Sequence, residues 1–170
     1  MSTSFPFTFV NLGEPVPFNV EANPDFSTET EPVCILNNLG VPAGPDTFIT
    51  VGAGVFPNGP DPWELTFHWA TTGGPAAGSW QIDAYLESVS SFIPNFTVPG
   101  FPVIVPGVTP QHYNQEVVVA PFTGLPFTIP PGVHLFRLFA TLRWNMTGAA
   151  PIVRVAGRAE GPLMEFYLPV

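Results

Sequence analysis

The chain has 170 residues, which is enough for one domain with a sizeable core and short for two. Charged residues make up only 10% of it, and its formal net charge is −9, with 13 acidic residues, four arginines and no lysine. Such a chain repels phosphate over most of its surface, which argues against nucleic acid as a partner. Proline (23 residues) is abundant, but 45% of the chain is hydrophobic, so we expect a folded protein.

The N-terminal region has no basic segment followed by an unbroken apolar run, so it does not predict an ordinary secretory signal. No stretch approaches the roughly 18 consecutive apolar residues of a membrane helix, and no membrane span is expected. We therefore expect a cytoplasmic protein or one exported by another route. Cys34, in the apolar sequence EPVCILNN, is predicted to be a buried thiol, and a single cysteine excludes an internal disulfide bond.

Two stretches in the middle of the chain alternate apolar and polar residues, as half-buried antiparallel strands do. The alternation puts Trp63 and Trp69 on the inner face of residues 63–70 and Trp80 on the inner face of residues 79–88. The turn residues of TTGGPAAG connect the two stretches. Further candidate strands are 16–21, 32–37, 47–52, 113–119, 133–144, 151–157 and 163–168.

Prolines recur every three to five residues around 92–112. Because proline cannot donate to a strand ladder, we interpret this segment as a long loop or, at most, an edge strand. The sequence PFTIPPGVHLFRLFATLRW resembles the later strands of immunoglobulin-like sandwiches, although the chain lacks their Cys…Trp…Cys spacing. Together these features predict a single all-β domain over residues 1–170, a two-sheet antiparallel sandwich of about eight or nine strands, immunoglobulin-like or jelly-roll-like.

The candidate strand 133–144 lies in the part of the chain that holds every basic residue. Its even-numbered positions are almost all apolar and end at Trp144, which is predicted to face the core. Arg137, Phe139 and Arg143 occupy odd-numbered positions and therefore share the outer face.

A turn centred on NMTGAA would pair this strand with residues 151–157. That register places Arg143 opposite Ile152 and Arg137 opposite Arg158, with all four arginines on the outer face. A slip of one residue would bury arginines against the core, so the pattern favours an outward-facing arginine hairpin.

The charges divide unevenly along the chain. Residues 1–130 contain eleven acids and no basic residue, whereas residues 131–170 contain four arginines and two acids. Three explanations remain open. Asp83 and Glu87, on the outer face of a neighbouring strand, could neutralise the arginines; a protein partner or another copy could cover them; or an anionic ligand could bind there.

Catalytic motifs are not recognisable in the sequence. Ser79 is not in a Gly-x-Ser-x-Gly motif, and His68, His112 and His134 lack the spacing of a metal-binding motif. The sequence therefore predicts no enzyme and no catalytic residue.

Two groups of acidic residues are candidates for ligand sites. Asp83 and Glu87 would lie about 13 Å apart along one strand, too far for a glycosidase pair. Residues 23–31 carry oxygen ligands suitable for calcium but lack EF-hand spacing. We expect no metal site and no cofactor.

The function expected from these patterns is a non-enzymatic structural or interaction module that self-assembles or docks on a protein partner through the arginine-bearing hairpin face. Arginine and aromatic residues are enriched at protein interfaces, and lysine is depleted there. The alternative is a lectin-like, carbohydrate-binding sandwich in which an exposed tryptophan or tyrosine stacks on sugar. The predicted interface residues are Arg137, Phe139, Arg143, Ile152, Arg154 and Arg158.

Overall fold

The computed structural model describes residues 2–11, 18–40, 47–51, 61–73, 78–89, 93–106, 113–123, 129–146 and 153–170. Within these ranges the chain is all-β and forms two sheets, which confirms the predicted two-sheet sandwich. No helix in them is long and apolar enough to cross a bilayer. The strands are β1 Thr3–Pro6, β2 Thr8–Asn11, β3 Phe18–Glu21, β4 Val33–Asn38, β5 Phe48–Thr50, β6 Pro62–Gly73, β7 Gly78–Ser88, β8 Phe96–Thr97, β9 Val103–Pro106, β10 Tyr113–Thr123, β11 Gly132–Met146 and β12 Val153–Leu168.

One sheet has five strands in the order β1-β4-β6-β10, and β3 also pairs with β6. All of its pairings are antiparallel. β6 is central in this sheet: Phe67 is opposite Cys34 of β4 on one side and Val117 of β10 on the other.

The other sheet has seven strands in the order β2-β12-β11-β7-β8, with β9 pairing with β7 and β5 pairing with β12. Its pairings are antiparallel except for the parallel pair of β5 with β12. The orders β4-β6-β10 and β12-β11-β7 match the A-B-E and G-F-C orders of immunoglobulin-like sandwiches. β1 and β2 add one strand to each sheet, and the buried Phe7 lies between them in the chain.

Aromatic side chains from both sheets form the core. Trp69 of β6 and Trp144 of β11 both contact Trp80 of β7 edge-on, with ring centroids 5.8 and 5.4 Å apart respectively. Trp80 is 0% exposed and Trp144 is 2% exposed, which confirms that both are core residues on inner faces. Cys34 is also fully buried as predicted, and this burial raises the pKa of its thiol well above the ordinary value.

The strand pattern differs from the sequence prediction in three places. β1 and β2 were not predicted, because their four-residue alternations are too short to stand out. The proline-rich segment contains β8 and β9, two short strands that both pair with β7. From residue 153 onward, the candidates 151–157 and 163–168 belong to one strand, β12. A register shift between Arg137 and Phe139 of β11 accommodates the residues between the two candidates.

The predicted register of the arginine hairpin is wrong by four residues at Arg143 and, beyond the bulge, by five at Arg137. Arg143 lies opposite Ala156, not Ile152, and Arg137 lies opposite Leu163, not Arg158. The four-residue shift before the bulge is even, so it keeps Ala156 and Arg158 on their predicted outer face, and alternation alone could not detect it. The observed register places the buried Val155 opposite Trp144.

Candidate functional site

The predicted arginine-bearing surface is the outer face of the seven-stranded sheet. It follows from the alternation of β11, in which Phe136, Leu138, Ala140 and Leu142 join the core and the residues between them point outward. We call this surface the arginine face. Its members are Thr8 and Val10 of β2; Gln81, Asp83, Tyr85 and Glu87 of β7; Thr97 of β8; Ile104 of β9; Leu135, Arg137, Phe139, Thr141 and Arg143 of β11; and Ala156, Arg158, Glu160, Leu163 and Glu165 of β12.

Two of the arginines form ion pairs within the chain. Arg137 donates to Glu160 on the adjacent strand, and both side chains are about half exposed. Arg143 donates to Asp83 of β7, which also accepts a hydrogen bond from Gln81. An exposed pair such as Arg137–Glu160 contributes about 0–1 kcal/mol, so it orients the arginine without binding it strongly. The Arg143–Asp83 pair is more buried.

The third arginine interacts with an aromatic ring. The guanidinium carbon of Arg158 lies 4.6 Å from the ring centroid of Phe139. Tyr85 stacks on the same ring, with centroids 5.1 Å apart and planes 16° apart. Although Phe139 points away from the core, these neighbours leave it only 4% exposed. Arg158 forms no ion pair with a carboxylate among the described residues.

The remaining predicted interface residues can be placed only in part. Arg154 belongs to β12, and nothing is described of its side chain. Ile152 lies outside the described residues. The structure thus brings Arg137, Phe139, Arg143 and Arg158 onto one face.

Three open depressions adjoin one another on the arginine face. The first, of about 360 Å³, is lined by Asp83, Tyr85, Thr97, Thr141 and Arg143, with the backbone of Ala84. The second, of about 320 Å³, lies between Arg143 and Arg158, and its lining is almost entirely apolar. The third, of about 500 Å³, extends past Arg158 and Glu160 to Thr8 and Val10.

The opposite outer face is built differently. On β6 of the five-stranded sheet the outward-facing His68 is only 5% exposed. Phe26 stacks on its imidazole with centroids 3.7 Å apart, and Nδ1 of His68 lies 2.7 Å from a carboxylate oxygen of Glu29. Residues 22–32, which we call the covering segment, therefore pack over the middle of this sheet.

The covering segment includes the stretch with oxygen ligands suitable for calcium. Its acids diverge, because Glu29 turns inward to His68 while Asp25 and Glu31 stay exposed. Asn23 accepts a hydrogen bond from the backbone N–H of Asp25 and so closes a turn. Across the described part of the chain, no group of three or more histidine, cysteine or acidic side chains is placed to hold a metal ion.

Sequence reasoning missed two features of the arginine face. Glu160 is one of the two acids of the C-terminal part, but the predicted register placed Arg158 opposite Arg137 and so hid the Arg137–Glu160 pair. Tyr85 was assigned correctly to an outer face, but its stacking on Phe139 needs the pairing of β7 with β11, which the sequence pattern does not specify.

Comparison of the chain with protein-family models, with curated proteins and with solved structures finds no match.

Proposed function

We propose that the protein is a non-enzymatic β-sandwich module that self-assembles, or docks on a protein partner, through the arginine face. The observation that carries this proposal is the composition of the face: arginines and acids alternate around aromatic rings, and its edges expose Val10 (56% exposed) and Ile104 (55%). Interfaces favour arginine and aromatic residues, and exposed aliphatic side chains offer apolar contact.

Charge supports the same proposal. The described arginine face holds both signs in close alternation, which suits recognition of a surface with complementary alternation. It also holds the only three arginine side chains that are described, in a chain of net charge −9. Positively charged side chains are therefore few in this protein, and those that are described lie on the proposed interface.

Native mass as a function of concentration tests the proposal. Wild-type protein is expected to form a species larger than the monomer, and Val10→Asp combined with Ile104→Asp is expected to shift it toward monomer. Val118→Asp is the matched control, because Val118 is 52% exposed but lies on β10 of the other sheet. A wild-type protein that stays monomeric at about 1 mM would contradict self-assembly.

A second candidate function is carbohydrate binding. All four tryptophans are at most 2% exposed, which removes them as stacking platforms for sugar. Tyr85 is half-buried and lines the first depression together with Asp83 and Arg143, so an aromatic ring and charged hydrogen-bonding groups meet at one open site. Binding to a panel of glycans that is lost in Tyr85→Ala, in a protein of monomeric mass, would support this function over self-assembly.

A further inference from the structure

The depression between Arg143 and Arg158 has one unmatched positive charge. Asp83 neutralises Arg143, whereas Arg158 is exposed, is oriented by Phe139 and pairs with no carboxylate among the described residues. A contact of the guanidinium with an aromatic ring does not by itself satisfy its N–H hydrogen-bond donors. A single carboxylate placed beside Arg158 would therefore complete the charge balance of this end of the arginine face.

The other end of the same face has unmatched negative charge. Glu87 of β7 and Glu165 of β12 are exposed, and neither forms an ion pair among the described residues. Arg137 lies at the same end but is paired with Glu160. Each copy of the protein thus carries an acceptor site for a carboxylate and spare carboxylates on one surface.

Two-fold symmetry decides which carboxylate can reach Arg158. When two identical faces pack with the axis perpendicular to the strands, each strand lies over its own copy, reversed in direction. Arg158 and Glu165 are both on β12 and both point outward, so an axis that crosses β12 midway between them places each opposite the other in the second copy. Glu87 lies two strands away on β7 and has no such relation to Arg158.

The alternative axis, parallel to the strands, is less favourable. It would place Arg158 over β7 of the second copy, at the level of Asp83, because both residues flank Thr141. That carboxylate is already engaged by Arg143 and Gln81.

We infer that the arginine face forms a two-fold dimer in which Arg158 of each copy binds the carboxylate of Glu165 of the other copy. This inference depends on the proposed function, since it names the partner as a second copy and the contact as a reciprocal ion pair. The apolar lining of the depression, formed by Val10, Ala156 and their neighbours, would pack around the aliphatic part of the glutamate.

A charge exchange tests the pair. Dimer dissociation constants would be measured by sedimentation velocity for wild type, Arg158→Glu, Glu165→Arg and the double variant carrying both changes. Each single change opposes like charges at two contacts per dimer and should weaken dimerisation by more than about tenfold. The double variant recreates both ion pairs with reversed polarity and should restore the dissociation constant to within about threefold.

Two controls test whether a weaker dimer could result from any charge change on this face or from a less stable fold. Glu87→Arg changes an equally exposed acid of the same face and should leave the dissociation constant unchanged. Arg158→Glu also removes the contact with Phe139, so its thermal unfolding would be measured, while Glu165→Arg removes no contact of this kind and tests the pair independently.

The outcomes distinguish the inference from the proposed function. A wild-type dimer that Glu165→Arg does not weaken, or that the double variant does not restore, overturns the Arg158–Glu165 pair and leaves self-assembly standing. A wild-type protein that is monomeric at about 1 mM overturns the inference and self-assembly together.

Discussion

Each outer face of this sandwich has an aromatic side chain that points outward and is nevertheless buried, His68 on one and Phe139 on the other. The two faces bury this side chain in different ways. On the five-stranded sheet, the covering segment brings Phe26 and Glu29 onto His68, so the chain covers its own surface. On the seven-stranded sheet, Phe139 also points outward and is also buried, but its cover consists of side chains, Tyr85 and Arg158.

This difference indicates which face is available to a partner. A backbone segment held by a stacked ring and a buried acid–imidazole contact is an integral part of the fold. Side chains that lie over an aromatic ring at the protein surface can change partners at low cost. The structure of the arginine face is therefore consistent with a surface that is covered again when a partner binds.

The largest loss of stability is expected from substitutions in the core, which lies beneath both outer faces. Trp80→Ala and Trp144→Ala should each lower the free energy of unfolding by about 3–5 kcal/mol, because each removes a buried indole that packs edge-on against another. Urea unfolding followed by circular dichroism checks this. Val118→Ala, at an exposed site, should stay within about 0.5 kcal/mol of wild type. Near-neutral stability of both tryptophan variants would contradict the placement of these indoles in the core.

The covering segment should contribute less to the free energy of unfolding than the core tryptophans, but by a measurable amount. Phe26→Ala removes the ring stacked on His68 and should lower the free energy of unfolding by about 1–2 kcal/mol. Amide hydrogen exchange should speed up within residues 22–32 while β11 and β12 keep their protection. Equal acceleration on both sheets would show that the two outer faces are not independent, and the comparison between them would fail.

These particular residues also show what sequence can predict. Alternation identified the inner tryptophans, the outward arginines and the all-β class because a buried face imposes a period of two on any strand. The same period does not detect even shifts of register, so it could not tell whether Arg143 lies opposite Ile152 or Ala156. The covering segment was not predicted either: the stacking of Phe26 on His68 joins residues that no local pattern relates.

The buried thiol beneath the covered sheet gives a pH-dependent test of the shared core. Burial raises the pKa of Cys34 in the folded protein above its unfolded value of about 8.5. Its stabilising contribution is therefore complete below about pH 8.5 and is lost as the pH rises toward the folded pKa, because only the unfolded state releases the proton. The free energy of unfolding should therefore be lower at about pH 9.5 than at about pH 7.5.

Unfolding in urea at about pH 7.5 and pH 9.5 measures this loss, and Cys34→Ala should abolish its thiol-dependent part. In the native state, a thiol reagent should label Cys34 only at the rate at which the core opens. Rapid labelling without denaturant would contradict the placement of Cys34 in the core.

The smallest contribution to stability is expected from the ion pair of Arg137 with Glu160. Its strength tests most directly how the two outer faces differ. Both side chains are about half exposed, so a double-mutant cycle with Arg137→Gln and Glu160→Gln should give a coupling of about 0.2–1 kcal/mol that falls as salt is added. A weak coupling means that the fold holds the arginines of this face in place and still leaves them able to bind a partner, which an interface requires. A coupling above about 2 kcal/mol would mean that Arg137 is held firmly within its own chain and is not available to a partner. The arginine face would then be bound to its own chain as firmly as the covered face is, and the gathering of arginines on one hairpin would need no partner to explain it.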